Sequence, residues 1–331
     1  MNGINPVSNT GIQLPDIEWR IMMSNDLQTD LKELDRLYES GTGEEIEDFI
    51  QRKLREYVPC CGGFRLEHVT FVNEAGAFYR GRSQLQKAEY YFKYAVDMIG
   101  TYVGRNNEEY ATALNNLAGT YRLMGSYAEA IKLFREVLTL YAEIAGQDTY
   151  LYASALNNIA LVYMDTNDLN EAVSCQEKAL EIVADMEDYR LEYAVSLGNL
   201  AGAYQGLGLY EKACELVRES ADILREEAGE DSYVYAAGLN NLASCNYFQK
   251  DYEKAKEYYR MAADILKRHF GEYQKDYAVT MEGLSRVSEK MGNREEAFRY
   301  QKRAYEIYDK ILGKDNAKTV ASKKKLDGLK Q

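Results

Sequence analysis

The chain has 331 residues, 46% hydrophobic and 28% charged, with 53 acidic against 40 basic side chains for a net charge of −13. That apolar content excludes global disorder, and the acidic balance has the wrong sign for affinity built on neutralising phosphates, so no nucleic-acid partner is expected. Only three prolines occur, all before residue 60, which leaves a long body without the strongest helix breaker.

The start, MNGINPVSNTGIQLPDIEW, lacks the basic leader and apolar core of a secretion signal, and no apolar run approaches the ~20 residues of a membrane span. A cytoplasmic location and no membrane partner are therefore expected. Residues 1–23 carry Ile4, Val7, Ile12, Leu14, Ile17, Trp19, Ile21, Met22 and Met23, too apolar for a free tail. This N-terminal arm, with the only tryptophan, is expected to pack on the array or to lie in the groove of its own or a neighbouring chain, the last choice making a homodimer. Residues 24–62 read as a degenerate capping helix pair: Leu31, Leu34, Tyr38 and Gly41 fit a first helix, and Ile46, Phe49, Ile50 and Leu54 a second. The five cysteines are odd in number and scattered, so reduced thiols are expected, and Cys60–Cys61 reads as a turn and not a metal site.

From residue 63 the chain repeats itself every 42 residues. LNNLAGTYRLMGSYAEAIKLF at 114–134 recurs at 156–176, 197–217 and 239–259, with weaker copies at 72–80 and 281–301. Gly62, Gly104, Gly146, Gly229, Gly271 and Gly313 keep the register, Asp188 fills the gap, and one step is 41 residues. Six tandem units follow: 63–104, 105–146, 147–188, 189–229, 230–271 and 272–313. Each reads as two helices. Leu114, Leu117, Ala118 and Tyr121 form one apolar stripe, and Ala130, Leu133, Phe134, Val137, Leu138 and Tyr141 another. Between them Gly125 suits a left-handed cap, and Ser126 with Glu129 has capping-box spacing, repeated at Asp168 with Glu171, at Asp251, and at Asn293 with Glu296; Leu209 breaks the pattern. Ala88, Ala130, Ala172, Ala213, Ala255 and Ala297 mark where paired helices approach most closely. Residues 314–331 read as a lysine-rich C-terminal capping helix with Lys323, Lys324 and Lys325 on a solvated face. The expected fold is all-α, built from antiparallel helix pairs.

The columns Leu117, Ala118, Tyr121, Gly125, Tyr127, Ala130 and Phe134 resemble the tetratricopeptide signature, and the 42-residue period with its Leu-Asn-Asn-Leu-Ala core is similar to the long variant of kinesin light chains and many bacterial relatives. Two features depart from the light chains. Tyr110, Tyr152, Tyr193, Tyr235 and Tyr277 replace the usual valine, and no heptad segment is present, so a motor-adaptor role is not carried over. The resemblance implies a right-handed α-solenoid, a superhelix whose first helices line a concave wall. On that wall would lie Asn73, Asn115, Asn116, Asn157, Asn158, Asn199, Asn240 and Asn241, followed one to two turns on by Arg80, Arg122, Gln205 and Tyr247.

Asparagine is a poor mid-helix residue, so its recurrence at one phase calls for a reason. One reason is ligand geometry: helices 8 to 10 Å apart present one amide to about every third residue of an extended peptide, and an amide both donates and accepts. The other is that one Asn of each pair bonds to the adjacent helix. Arg80 and Arg122 could grip carboxylates or be solvated, and the tyrosine ladder could close the rim or pack between helices, packing being favoured. The lysines of chaperone-tail receptors are missing. With two histidines, no HExxH, no glycine-rich phosphate loop and no nucleophile elbow, neither catalysis nor a cofactor is expected. The chain is expected to be a non-catalytic scaffold holding a protein or peptide segment in its groove; the rival reading is an intracellular peptide-sensing regulator of a partner protein.

Overall fold

The computed structural model describes residues 25–59 and 63–330, which form fifteen α-helices, one short 3-10 turn and no strand. The N-terminal arm, Cys60, Cys61 and Gly62 lie outside the described residues.

The chain divides into two compact units, residues 1–162 and 163–331. The first holds α1 (Asn25–Ser40), α2 (Gly43–Glu56), α3 (Leu66–Gly81), α4 (Leu85–Tyr102), α5 (Glu108–Met124) and α6 (Tyr127–Ile144); α7 (Tyr150–Asp165) runs through the junction. The second holds α8 (Leu169–Val183), α9 (Arg190–Gly206), α10 (Tyr210–Ala228), α11 (Tyr233–Phe248), α12 (Tyr252–Phe270), α13 (Lys275–Lys290), α14 (Arg294–Leu312) and α15 (Ala317–Leu329). Within each unit a helix packs on its hairpin partner, and each second helix packs on the first helix of the next pair: α2 on α3 and α4 on α5, then α8 on α9, α10 on α11, α12 on α13 and α14 on α15. First helices also touch one another, α3 with α5 and α11 with α13. Each unit is thus a stack of hairpins in which every layer buries the face its neighbour leaves open.

The alanine column behaves as its spacing predicts, all six residues being fully buried. Gly76 serves the same close approach on α3, since a Cβ there would stand 2.7 Å from the Phe92 ring of α4. No described helix is long and apolar enough to cross a membrane.

The turn inside each hairpin corrects the capping-box expectation. Ser126 and Asp168 make no side-chain cap; Asp251 and Asn293 do, accepting from the backbone N–H of Lys254 and Glu296. The common device is backbone. Gly125, Asn167, Gly208, Lys250 and Gly292 take positive φ, and the next residue donates its N–H five residues back, as Ser126 does to the Tyr121 carbonyl at 2.9 Å. Leu209 does the same to Tyr204 at 2.9 Å, so this turn closes without a polar cap, which explains the exception.

A second correction concerns the thiols. Cys214 of α10 and Cys245 of α11, both buried, form a disulfide with Cα atoms 5.5 Å apart; Cys175 is free. Residues 317–329 stand in 42-residue register with α13, and the helix they form packs on α14 through Thr319, Ser322 and Leu326, with Gln301 Nε2 donating to Ser322 Oγ at 2.8 Å. Lys323 and Lys324 are exposed, whereas Lys325 departs from the solvated face and is half-buried.

Candidate functional site

The recurring amides fall into two columns with different surroundings. In the first unit the first column is Asn73, Asn115 and Asn157, and the second is Glu74, Asn116 and Asn158. Asn158 Nδ2 donates to Asn115 Oδ1 at 3.2 Å, so a second-column residue reaches back to the first column of the preceding first helix. One repeat earlier, Asn116 is only 3% exposed, and its Nδ2 and Asn73 Oδ1 are both buried without a hydrogen-bond partner at the same two positions. The second unit repeats the reach: a Cβ on Gly198 would stand 3.1 Å from Asn241 Nδ2. Lys325, in register with this column, is pushed below the ordinary lysine range by burial and then by Arg286, with Glu282 and Glu289 opposing. The second column therefore faces the neighbouring helix. First-column Asn115, Asn157 and Asn240 remain half-buried, as do second-column Asn199 and Asn241. Asn240 Oδ1 also accepts from Thr280 Oγ1 at 3.0 Å.

Arg80 of the first unit is held among polar and aromatic neighbours. Arg80 Nη1 donates to the Asn116 carbonyl at 3.4 Å, and its guanidinium lies 5.3 Å from the Phe92 ring centroid. Gly119 leaves the room, since a Cβ there would be 3.4 Å from that nitrogen. Burial first, and then Arg122, pull Arg80 down to about 10, with Glu74 opposing. Glu74, 8% exposed, is pushed up to about 7 by burial and by Asp35, against the pull of Arg80. Arg80 thus lies under the influence of both a like charge, Arg122, and an opposite one, Glu74.

In the second unit the corresponding surface is polar and aromatic. Gln205 Oε1 accepts from Ser244 Oγ at 3.3 Å, and Tyr247 stands 5.8 Å from the Arg286 guanidinium. Arg286 is missing from the sequence-derived site, although it falls 42 residues after Ser244 and so continues the same column. Between α11 and α13 lies a cavity of about 200 Å³ that includes Asn240 and Asn241 in its lining, with Tyr233, Asp276 and Leu266. This void was not legible from the repeat pattern, because part of its lining, Leu266, comes from a second helix.

The tyrosine ladder packs between helices. Tyr110, Tyr152, Tyr235 and Tyr277 are buried, and the Tyr110 ring stands 3.1 Å from where a Cβ on Gly100 of α4 would be. Tyr193 is half-buried, its hydroxyl donating to Glu219 at 3.1 Å. Among the described residues no cluster of His, Cys, Asp and Glu could hold a metal.

Comparison with solved structures returns the same architecture. A Rap protein complexed with Competence and Sporulation Factor superposes with TM-score 0.63 at 14% identity, covering 95% of this chain and 89% of that one. NprR in complex with its cognate peptide NprX gives 0.61 at 16% identity, covering 93% and 84%. BtubC (BKLC) from P. vanneervenii gives 0.51 at 23% identity, covering 73% and 92%. At these identities the likeness is one of fold. Among curated proteins, none matches the sequence. The family model described as tetratricopeptide repeat matches residues 68–143, 151–226, 192–268 and 234–310, which together span most of the chain. With paired helices at the 42-residue step and the signature columns in phase, the chain belongs to the tetratricopeptide repeat family.

Proposed function

We propose that the chain is a non-catalytic scaffold that holds an extended peptide segment, of a protein or free, against the first-helix face. The observation that carries this reading is the row of half-buried asparagines repeated along the first helices. Asn115, Asn157, Asn158, Asn199, Asn240 and Asn241 are all half-buried rather than packed away, and Asn158 and Asn115 are joined by a hydrogen bond of 3.2 Å. An amide that both donates and accepts can pair with a peptide backbone without reading its side chains. Arg80 and Arg122 would take a carboxylate of the guest, and Gln205 and Tyr247 would line its course in the second unit. Asn116 is too buried to touch a guest and is assigned to packing. The Rap and NprR structures, which share the fold, hold Competence and Sporulation Factor and the peptide NprX, and this supports a peptide as the guest.

A second reading, that peptide binding regulates a partner protein, is favoured by one relative in particular: NprR from B. thuringiensis, described as a quorum sensor, shares the fold with TM-score 0.56. The test is capture of a pool of acetylated, amidated seven-residue peptides on immobilised full-length protein. Wild type is expected to retain peptides, and Asn115→Ala with Asn157→Ala to retain at least fivefold fewer while stability changes by less than about 1 kcal/mol. A pool that passes through wild type unretained would refute the proposal. Release of a co-purified protein by the retained peptides would favour the regulatory reading over the scaffold.

A further inference from the structure

We infer that the cavity between α11 and α13 is a side-chain subsite for a basic residue of the bound peptide, a lysine ammonium or arginine guanidinium; this rests on the peptide-binding reading above. The cavity, about 200 Å³, has room for one long side chain. Its lining mixes apolar and polar groups. Leu266 of α12 and the exposed Ala237 and Val279 supply the apolar part of its lining. Asp276, Tyr233, Asn240 and Asn241 supply the polar part.

The chemistry selects the guest. An aliphatic stem matches the apolar part of the lining, as long basic side chains do when they lay their methylenes on apolar surface and keep the charge in contact with polar groups. The head then meets a carboxylate, a phenol and amide oxygens, all of which accept hydrogen bonds from a cation. No Lys, Arg or His among the described residues lies within ion-pairing distance of the Asp276 carboxylate, whereas many other surface carboxylates, such as Glu272 and Asp231, are already paired. Tyr233 is held above the ordinary tyrosine range by burial and then by Asp276. An acidic guest would face Asp276, and a purely apolar guest would desolvate it without compensation.

The subsite belongs to this pair of helices. At the positions of Ala237 and Val279 the first unit has Thr70 and Thr112, without the apolar pair, while α9 and α11 have Val195 and Ala237 there but Val234 in place of Asp276, without the carboxylate. The net charge of −13 adds a long-range attraction for a basic peptide.

The experiment uses the full chain and the same pool of acetylated, amidated seven-residue peptides, sequenced after capture. Wild type is expected to enrich Lys and Arg together at least threefold at one position over the input pool. Asp276→Asn, which keeps the size of an exposed side chain, should abolish that enrichment while retaining total capture within twofold. Val279→Arg, which seats a guanidinium of the protein's own, should do the same, so a folding defect in one variant does not decide the result. Capture without enrichment of basic residues overturns the subsite and leaves the peptide reading standing. No capture by wild type overturns both. Enrichment that survives in both variants puts the basic residue elsewhere and overturns the subsite.

Discussion

Removing the amide of Asn158 isolates what the second column does. The hydrogen bond to Asn115, 3.2 Å and part-buried, has a net value of about 1 kcal/mol for a neutral pair. Alanine at a mid-helix position returns roughly 0.6 kcal/mol of helix propensity relative to asparagine. The two effects nearly cancel, so Asn158→Ala alone should shift stability by less than about 1 kcal/mol and reveal little. The propensity terms drop out of a double-mutant cycle. Asn115→Ala, Asn158→Ala and the double variant, unfolded in urea at constant slope, should give a coupling of about 0.5 to 1 kcal/mol. Additivity within about 0.3 kcal/mol would show that the bond does not stabilise the stack, and the assignment of the second column to packing would fail.

Two buried carboxyls should show opposite pH signatures. Glu74 has its folded value raised to about 7, so its contribution to stability is complete below the ordinary carboxylate range and is lost as pH rises toward 7. Glu74→Gln should therefore gain stability over wild type between pH 5 and pH 8, by up to about 3 kcal/mol; parallel melting-temperature curves across that range would contradict the assignment. Burial pushes Glu296 up, but Lys256, Ser288 and Arg260 outweigh it and hold the carboxyl below its usual range. Its contribution is present above the ordinary carboxylate value and lost as pH falls through the lowered one. Glu296→Gln leaves Lys256, otherwise 2.5 Å from the carboxylate, without its charge partner and should cost about 3 kcal/mol at pH 7. That deficit should shrink below about pH 4, and a deficit independent of pH would mean the ion pair is not its source.

Helix pairing was legible because a strict period places the same residue type at the same contact: the alanine column reads as closest approach from spacing alone and is fully buried. The turn chemistry was misread because Ser126 and Glu129 have the spacing of a side-chain cap, while the hairpin closes through backbone bonds that any residue, including Leu209, can make. Cys214 and Cys245 are 31 residues apart on consecutive helices, and only packing brings them together. The asparagines were visible as two adjacent columns, but their division depends on a reach of 43 residues, one more than the repeat, from Asn158 to Asn115. Arg286 could have been found by continuing the Ser244 column one more period. The cavity could not, since Leu266 enters it from a helix that the first-helix pattern does not include.

Site-specific photocrosslinking tests most directly whether a peptide lies on the first helices. p-Benzoylphenylalanine would replace, one at a time, Asn115 and Ala237 on first helices and the exposed Tyr90 and Met261 on second helices. With the captured peptides, adducts are expected at positions 115 and 237 and absent from 90 and 261; adducts confined to 90 and 261 would contradict a first-helix binding face.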